Sequence, residues 1–227
     1  MSAHTPKSQP KPKQPYRQRQ LSAIASRWDD RADTWDRALE DPLCCLNEDD
    51  AYNRFLREAW NIIDRRRAFC AHHGLIDAGC GTGLVLAGLI SAFAWGVGVD
   101  ISPRMIRLAR AKKIPRARFR LSDCFSLAQI RPKAGAVVSR GVLLSHYGEA
   151  LGLRLLRAAR QALAPYGFVI FDFLNEQSKS THIHLPEDKI YYTPRQAVAL
   201  ARQAGFTKTA ICGAPERRVR ILLAELP

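Results

Sequence analysis

Four residues in one short stretch have the types and the spacing to hold a ligand: Asp77, Gly79, Gly81 and Gly83 in GLIDAGCGTGLVLAGLI, residues 74–90. A loop so stripped of side chains lets a bound molecule approach the backbone closely, at a conformational cost that needs a reason. The spacing narrows the choice of ligand. A dinucleotide fingerprint reads GxGxxG, whereas here the glycines read GxGxG, and no GKS or GKT is present to make a phosphate-binding P-loop. Two more carboxylates follow, Asp100 in WGVGVD and Asp123 in RFRLSD, and His146 and Tyr147 stand together in LLSHYG. His182 and His184, in STHIHLPED, have the spacing of a metal edge, but a solvated loop is the plainer reading and no metal is expected.

The elements that would position these residues alternate from residue 74 onward. Strands are expected near GLIDA, WGVGVD, RFRLSD, GAVVSR and GFVIFDF, with helical patterns at 84–92, 102–112, 125–130 and 149–163. A helix from Thr193 to Ala204 then leads to two adjacent strands, TKTAICG and VRILLAEL, which read as a hairpin. Strands alternating with helices make a parallel, doubly wound sheet, and the hairpin adds an antiparallel last strand. In such a sheet ligands bind beyond the carboxyl ends of the strands, where the glycine loop falls. Before residue 74 the pattern is helical. One helix is expected over 21–45, with Ile24, Trp28, Trp35 and Leu39 on one face and Pro42 ending it, and a second over 47–69, capped by Asn47. The expected organisation is a basic disordered tail (1–20), a helical cap (21–72) and one ligand-binding domain (73–227).

The composition is that of a globular protein, 47% hydrophobic and 25% charged. No apolar run reaches the roughly 20 residues that span a bilayer. The first twenty residues lack the apolar core of a secretory signal. The six cysteines show no CxxC pair, so they are expected to be reduced thiols in a cytoplasmic protein. The net charge of +14 is uneven: residues 21–50 carry nine acids against three bases, while the tail and the body are basic. A basic body is the electrostatic signature of a polyanionic partner, or of solvated helix faces.

The stretch DAGCGTG resembles motif I of the class I S-adenosylmethionine-dependent methyltransferases, D/E-x-G-x-G-x-G. The resemblance continues collinearly. GVGVDIS resembles the strand-two acid and the start of the next helix, and LSDCF the adenine-contacting segment. AGAVVSRGVLLSHYG resembles strand four and its sequel, LRAARQALAPYGFVIFDF the helix and turn into strand five, and YTPRQAVALARQAGFTKT the late helix. One departure is Tyr166 in APYG, where the family usually has glycine. The resemblance implies a Rossmann-like sheet of seven strands and S-adenosylmethionine as cofactor, with S-adenosylhomocysteine as product. It implies that Asp77, Gly79, Cys80, Gly81 and Gly83 surround the methionine portion and that Asp100, followed by Ile101, takes both ribose hydroxyls. Asp123 and Cys124 would hold the adenine, and Arg140 would face the methionine end. RWDDRADTWD resembles the aromatic-acid helix that many small-molecule members fold over the cofactor, which makes Trp35 (or Trp28) its cover, unless both merely staple the helix down.

Methyl transfer from a sulfonium is an in-line displacement in which charge is neutralised, so the protein chiefly aligns the nucleophile and excludes water. A base is needed only if the nucleophile must lose a proton, and His146 and Tyr147 are the candidates. No DPPY-like tetrapeptide follows strand four and no Pro-Cys dipeptide occurs, which removes the marks of many base methyltransferases. The expected activity is methylation of oxygen or nitrogen on a small molecule. The alternatives are an RNA or protein acceptor drawn by the basic body and tail, and a cofactor-binding scaffold without turnover.

Overall fold

The computed structural model describes residues 16–40, 51–141, 143–181 and 189–227. The expected cap residue Asn47, the helix stop Pro42, most of the tail, and His182 and His184 lie outside them.

Two helices open the described chain, α1 (Tyr16–Arg31) and α2 (Trp35–Glu40), joined by a 3-10 turn at Ala32–Thr34. The single helix expected over 21–45 is thus broken, and α1 begins inside the stretch expected to be tail. The break lies among Asp29, Asp33 and Asp36, whose short carboxylates bond outside the helix rather than support it. Next come α3 (Ala51–Asp64) and α4 (Arg67–Ala71), a second division where one helix was expected. Arg66 accounts for it. Its backbone N–H bonds the Ile63 carbonyl at 2.9 Å and its guanidinium bonds the Ile62 carbonyl at 2.8 Å, closing the last turn of α3.

The sheet follows the expected alternation: β1 (Gly74–Ala78), α5 (Leu84–Leu89), β2 (Trp95–Asp100), α6 (Pro103–Ala111), β3 (Ala117–Leu121) and β4 (Ala134–Ser139). Then come α7 (Glu149–Ala162), β5 (Leu163–Asn175), β6 (Tyr191–Tyr192), α8 (Pro194–Gln203), β7 (Lys208–Cys212) and β8 (Val219–Glu225). The strand order is β3-β2-β1-β4-β5-β8-β7, with β6 added in parallel at the end of β5. β8 inserts between β5 and β7 and runs antiparallel to both. The seven expected strands are therefore present, and the two-residue β6 is an eighth. Strands β1 and β4 are buried along their whole length, as expected of parallel strands covered on both faces. One apolar layer (Ile76, Val137, Leu155, Phe171, Phe173, Leu200) fills one side and another (Phe55, Ile63, Leu75, Leu89, Phe168, Ile170) the other.

Glycines set the spacing at the site end. A Cβ on Gly98 would stand 2.6 Å from the Phe119 ring and 2.8 Å from Cys80 Sγ, so the loop after β1 can lie against β2 only with glycine there. Near the start of β5, where its pairing with β4 is irregular, Tyr166 takes the glycine-like φ of 62° and is 71% exposed, at a cost in local strain.

Candidate functional site

The strand order reverses between β1 and β4, and the loops beyond their carboxyl ends open there. After β1 the chain turns sharply. Gly79 N and Cys80 N both donate to the Val99 carbonyl, at 2.8 and 3.0 Å, and Gly79, Gly81 and Gly83 all have left-handed φ. Asp100 at the end of β2 fastens this turn: its two oxygens accept from Gly81 N at 2.9 Å and Ser102 N at 2.8 Å. Burial pushes the Asp100 carboxyl up, while those N–H bonds pull it back.

Asp77 lies deeper, 1% exposed, and its Oδ2 has no hydrogen-bond partner among the described residues. Burial first, and then the Asp100 charge, push its carboxyl up to about 7, with the Leu86 N–H opposing. An unpaired carboxylate oxygen in such a place is costly unless a donor or cation meets it.

One cavity enclosing about 700 Å³ of empty space, open solvent at its mouth included, occupies the switch point. Of the residues singled out by sequence, Trp35, Gly79, Gly81, Asp100, Ile101, Asp123, Cys124, Arg140, His146 and Tyr147 line it. Asp77, Cys80 and Gly83 stand behind the wall. Gly83 caps α5, where a Cβ would strike Phe119 at 2.9 Å, and the Cys80 thiol is buried with its ionisation pushed up. Asp123 Oδ1 accepts from Phe125 N at 2.9 Å and Ser126 Oγ at 3.1 Å, capping the 3-10 turn Cys124–Gln129. Ile24, Trp28, Met105 and Ser122 also line the cavity. Trp28 was expected there from RWDDRADTWD, whereas Ile24, Met105 and Ser122 carry no motif and only the tertiary fold brings them there.

The cavity's roof is α1–α2. Trp28 and Trp35 pack edge to face with ring centroids 5.1 Å apart, and Trp35 Nε1 would be 3.3 Å from a Cβ on Gly81. Three acids clamp this roof to the domain. Asp29 accepts from Arg104 N at 3.0 Å and from Ser102 Oγ. Asp33 pairs with the Arg104 guanidinium, Nε at 3.1 Å. Asp36 pairs with Lys112 at 2.6 Å and takes the Thr82 hydroxyl. Asp29 thereby places a negative charge at the N-terminus of α6, which the helix dipole favours.

At the other wall, Tyr147 Oη lies 3.7 Å from Cys124 Sγ, is almost fully buried, and has its phenol pushed well above the ordinary 10.0 by desolvation. That burial favours the neutral phenol. Arg140 sits over the Tyr52 ring at 5.4 Å; burial pushes its guanidinium down and Asp172 opposes that. His146 faces Trp28 at 5.9 Å and touches Lys189.

Residues 75–167 match the family model described as a methyltransferase domain. The match runs from β1 through the glycine loop to the start of β5. Among curated proteins, the chain is 26% identical to the ubiquinone biosynthesis O-methyltransferase of Bordetella bronchiseptica, over 85% of this chain and 80% of that one. Among solved structures it is similar in fold to the magnesium protoporphyrin IX methyltransferase of Synechocystis PCC 6803 with bound S-adenosylmethionine. That likeness has a TM-score of 0.70 and 19% identity, over 92% of this chain and 97% of that one. It is also similar to an amino pentose methyltransferase from Micromonospora echinaspora, with a TM-score of 0.63 and 18% identity over 76% and 92%.

S-adenosylmethionine is the cofactor that the methyltransferase match carries, and the cavity fits it. Asp100 offers a carboxylate at the wall, the Gly81 surface is bare up to Trp35, and behind the wall the orphaned Asp77 oxygen adds a negative charge that suits a cationic group.

Proposed function

We propose that the chain transfers a methyl group from S-adenosylmethionine to an oxygen or nitrogen of a small molecule. The observation that carries this reading is the convergence of the GxGxG loop, Asp100 and Asp123 on one cavity roofed by Trp28 and Trp35. In this reading Asp77 answers the methionine ammonium, and Gly79 and Gly81 admit the methionine chain against the backbone. Asp100 takes the ribose hydroxyls, and Asp123 with the Cys124 amide takes the adenine. Cys80 and Gly83 hold the loop's shape, and Arg140 adds positive charge at the methionine end. Bound there, the cofactor supplies an electrophilic methyl group.

The chain's own residues then align the acceptor with that methyl and keep water out, the two contributions that matter most in such a displacement. Trp28, Trp35 and Ile24 form the apolar cover, and His146 stands at the acceptor side. The relatives named above act in ubiquinone biosynthesis, on a porphyrin and on an amino pentose, which supports a small acceptor. Four cysteines among the described residues, Cys70, Cys80, Cys124 and Cys212, are free thiols, in keeping with a reducing, cytoplasmic setting. No helix among the described residues is long and apolar enough to cross a membrane.

The test is to incubate the protein with methyl-labelled S-adenosylmethionine and, in separate reactions, a small-molecule extract, total RNA and total protein. Label in the low-mass fraction alone is expected. Label confined to RNA or protein would overturn the small-molecule reading.

A further inference from the structure

Residues 101–133 hold ten lysines and arginines against one acid, Asp123. Arg104 and Lys112 face the roof and pair with Asp33 and Asp36. The others have no carboxylate partner among the described residues. Where they bond, they donate to oxygens without charge. Arg110 donates to the Phe119 carbonyl at 2.8 Å, Arg120 to Gln129 Oε1 at 3.3 Å, and Arg131 to the Ala128 carbonyl at 2.5 Å. These bonds also join the cations into one surface. The first ties α6 to β3, the second ties β3 to the 3-10 turn Cys124–Gln129, and the third holds Arg131 to the end of that turn.

β3 is an edge strand, and its exposed Arg118 and Arg120, two residues apart, leave it on the same side. Arg107, one turn before Arg110 on α6, is exposed as well. Charge on an edge strand keeps sheets from pairing edge to edge, a duty that the arginines of β3 would discharge alone. Those on α6 and after the turn have no such duty, and together the cations fit a polyanion. The apolar tip of this face decides which. Leu121 ends β3 at 50% exposure, and the next two residues, Ser122 and Asp123, line the cavity. The other large apolar side chain exposed among the described residues, Tyr166, belongs to β5. Single-stranded nucleic acid is held by bases stacked on aromatic rings, and this face exposes none. A duplex would take the cations and leave Leu121 in water. An anionic bilayer offers phosphates to the cations and an apolar boundary to the leucine.

We propose that this face, Arg107, Arg110, Arg118, Arg120 and Arg131 with Leu121 at its tip, docks the protein on the surface of an anionic membrane. The contact is peripheral. The arginines meet lipid phosphates, and Leu121 reaches the boundary between headgroups and acyl chains. Because β3 leads straight into Ser122 and Asp123, docking sets one wall of the cavity beside the bilayer. The proposal stands on the surface alone and does not depend on which molecule is methylated.

The experiment floats full-length protein with vesicles of phosphatidylcholine, alone or mixed with phosphatidylglycerol, at about 0.1 M and about 1 M salt. Binding to the mixed vesicles only, and its loss at the higher salt, is expected. Arg107→Gln, Arg118→Gln and Arg120→Gln together are expected to weaken that binding about a hundredfold, near fivefold per cation. Lysine at the same three positions is expected to keep most of it, because the charge does the binding. Leu121→Ser is expected to cost about a further fivefold with vesicles and nothing with a duplex RNA. Equal binding to neutral vesicles, or unchanged vesicle affinity in the triple glutamine variant or in Leu121→Ser, would overturn the proposal. Displacement from the mixed vesicles by duplex RNA at equal phosphate would also overturn it and assign the face to nucleic acid. S-adenosylhomocysteine binding is expected to be equal in all forms, and its failure in the unmutated protein would strike the methyltransferase reading instead.

Discussion

At the scale of single residues, Asp77 carries a large electrostatic tension. Its carboxyl moves from 3.8 to about 7 on folding because it is sealed from water beside Asp100. Between those values the folded chain holds a proton that the unfolded chain has released, so stability falls as pH rises through the window and stays lower above it. Asp77→Asn removes that loss. In urea unfolding at pH 5 and pH 8, the unmutated apo protein is expected to lose roughly 2–4 kcal/mol more than the variant between the two pH values. Equal pH dependence in both would show that Asp77 is not the buried, unanswered carboxyl described. Asp77, the glycines and Asp100 were legible in the sequence because each must occupy its place: glycine where φ is left-handed, a carboxylate where amides need closing. Ile24, Met105 and Ser122 were not legible, because an ordinary residue becomes a cavity wall only through what the fold sets opposite it. Tyr147 was legible as a neighbour of the site, whereas the burial of its hydroxyl against Cys124 is a tertiary fact.

At the scale of elements, the roof α1–α2 stays closed through Asp29, Asp33 and Asp36 against Arg104, Lys112, Ser102 and Thr82. The Arg104–Asp33 and Lys112–Asp36 pairs are part exposed, so salt weakens them, with a Debye length of about 10 Å at 0.1 M falling to about 3 Å at 1 M. Trypsin cleavage after Arg27, Arg31 and Arg37, taken relative to an unfolded control peptide, is expected to speed up about threefold from 20 mM to 500 mM NaCl. Arg104→Ala should show the fast rate already at low salt. A rate indifferent to salt and to Arg104 would mean that the apolar contacts of Trp28 and Trp35 hold the roof unaided. Strands β1 and β2 match the expected GLIDA and WGVGVD residue for residue, because short apolar runs bounded by glycine and acid leave little choice. The helix divisions at Ala32–Thr34 and after Asp64 were hidden. Both depend on side chains, the aspartates and Arg66, that take partners far along the chain. β6 was hidden for the same reason, as two tyrosines have no period to read.

At the scale of the whole molecule, the sheet order places the reversal between β1 and β4 under a roof made from the N-terminal helices, so distant parts of the chain build one cavity. Arg66 shows how the helical segment is bound into the sheet. It closes α3, pairs with Glu225 of β8 at 2.7 Å, and covers the Phe168 ring of β5 at 5.1 Å. The order of strands and helices was legible because alternation dictates it, and the hairpin β7–β8 because two strands follow without a helix. The insertion of β8 between β5 and β7 needs the assembled sheet. In the proposed function this cavity holds S-adenosylmethionine through Asp100. Calorimetric titration of the protein with S-adenosylmethionine, S-adenosylhomocysteine and NADH, repeated with Asp100→Ala and with circular dichroism to verify folding, puts that to the test. Micromolar binding of the first two and none of NADH is expected, with the folded variant weakened at least about a hundredfold, as the loss of two charge-assisted hydrogen bonds requires. Binding of NADH alone, or an unchanged affinity for S-adenosylhomocysteine in Asp100→Ala, would mean that Asp100 does not hold S-adenosylmethionine in this cavity.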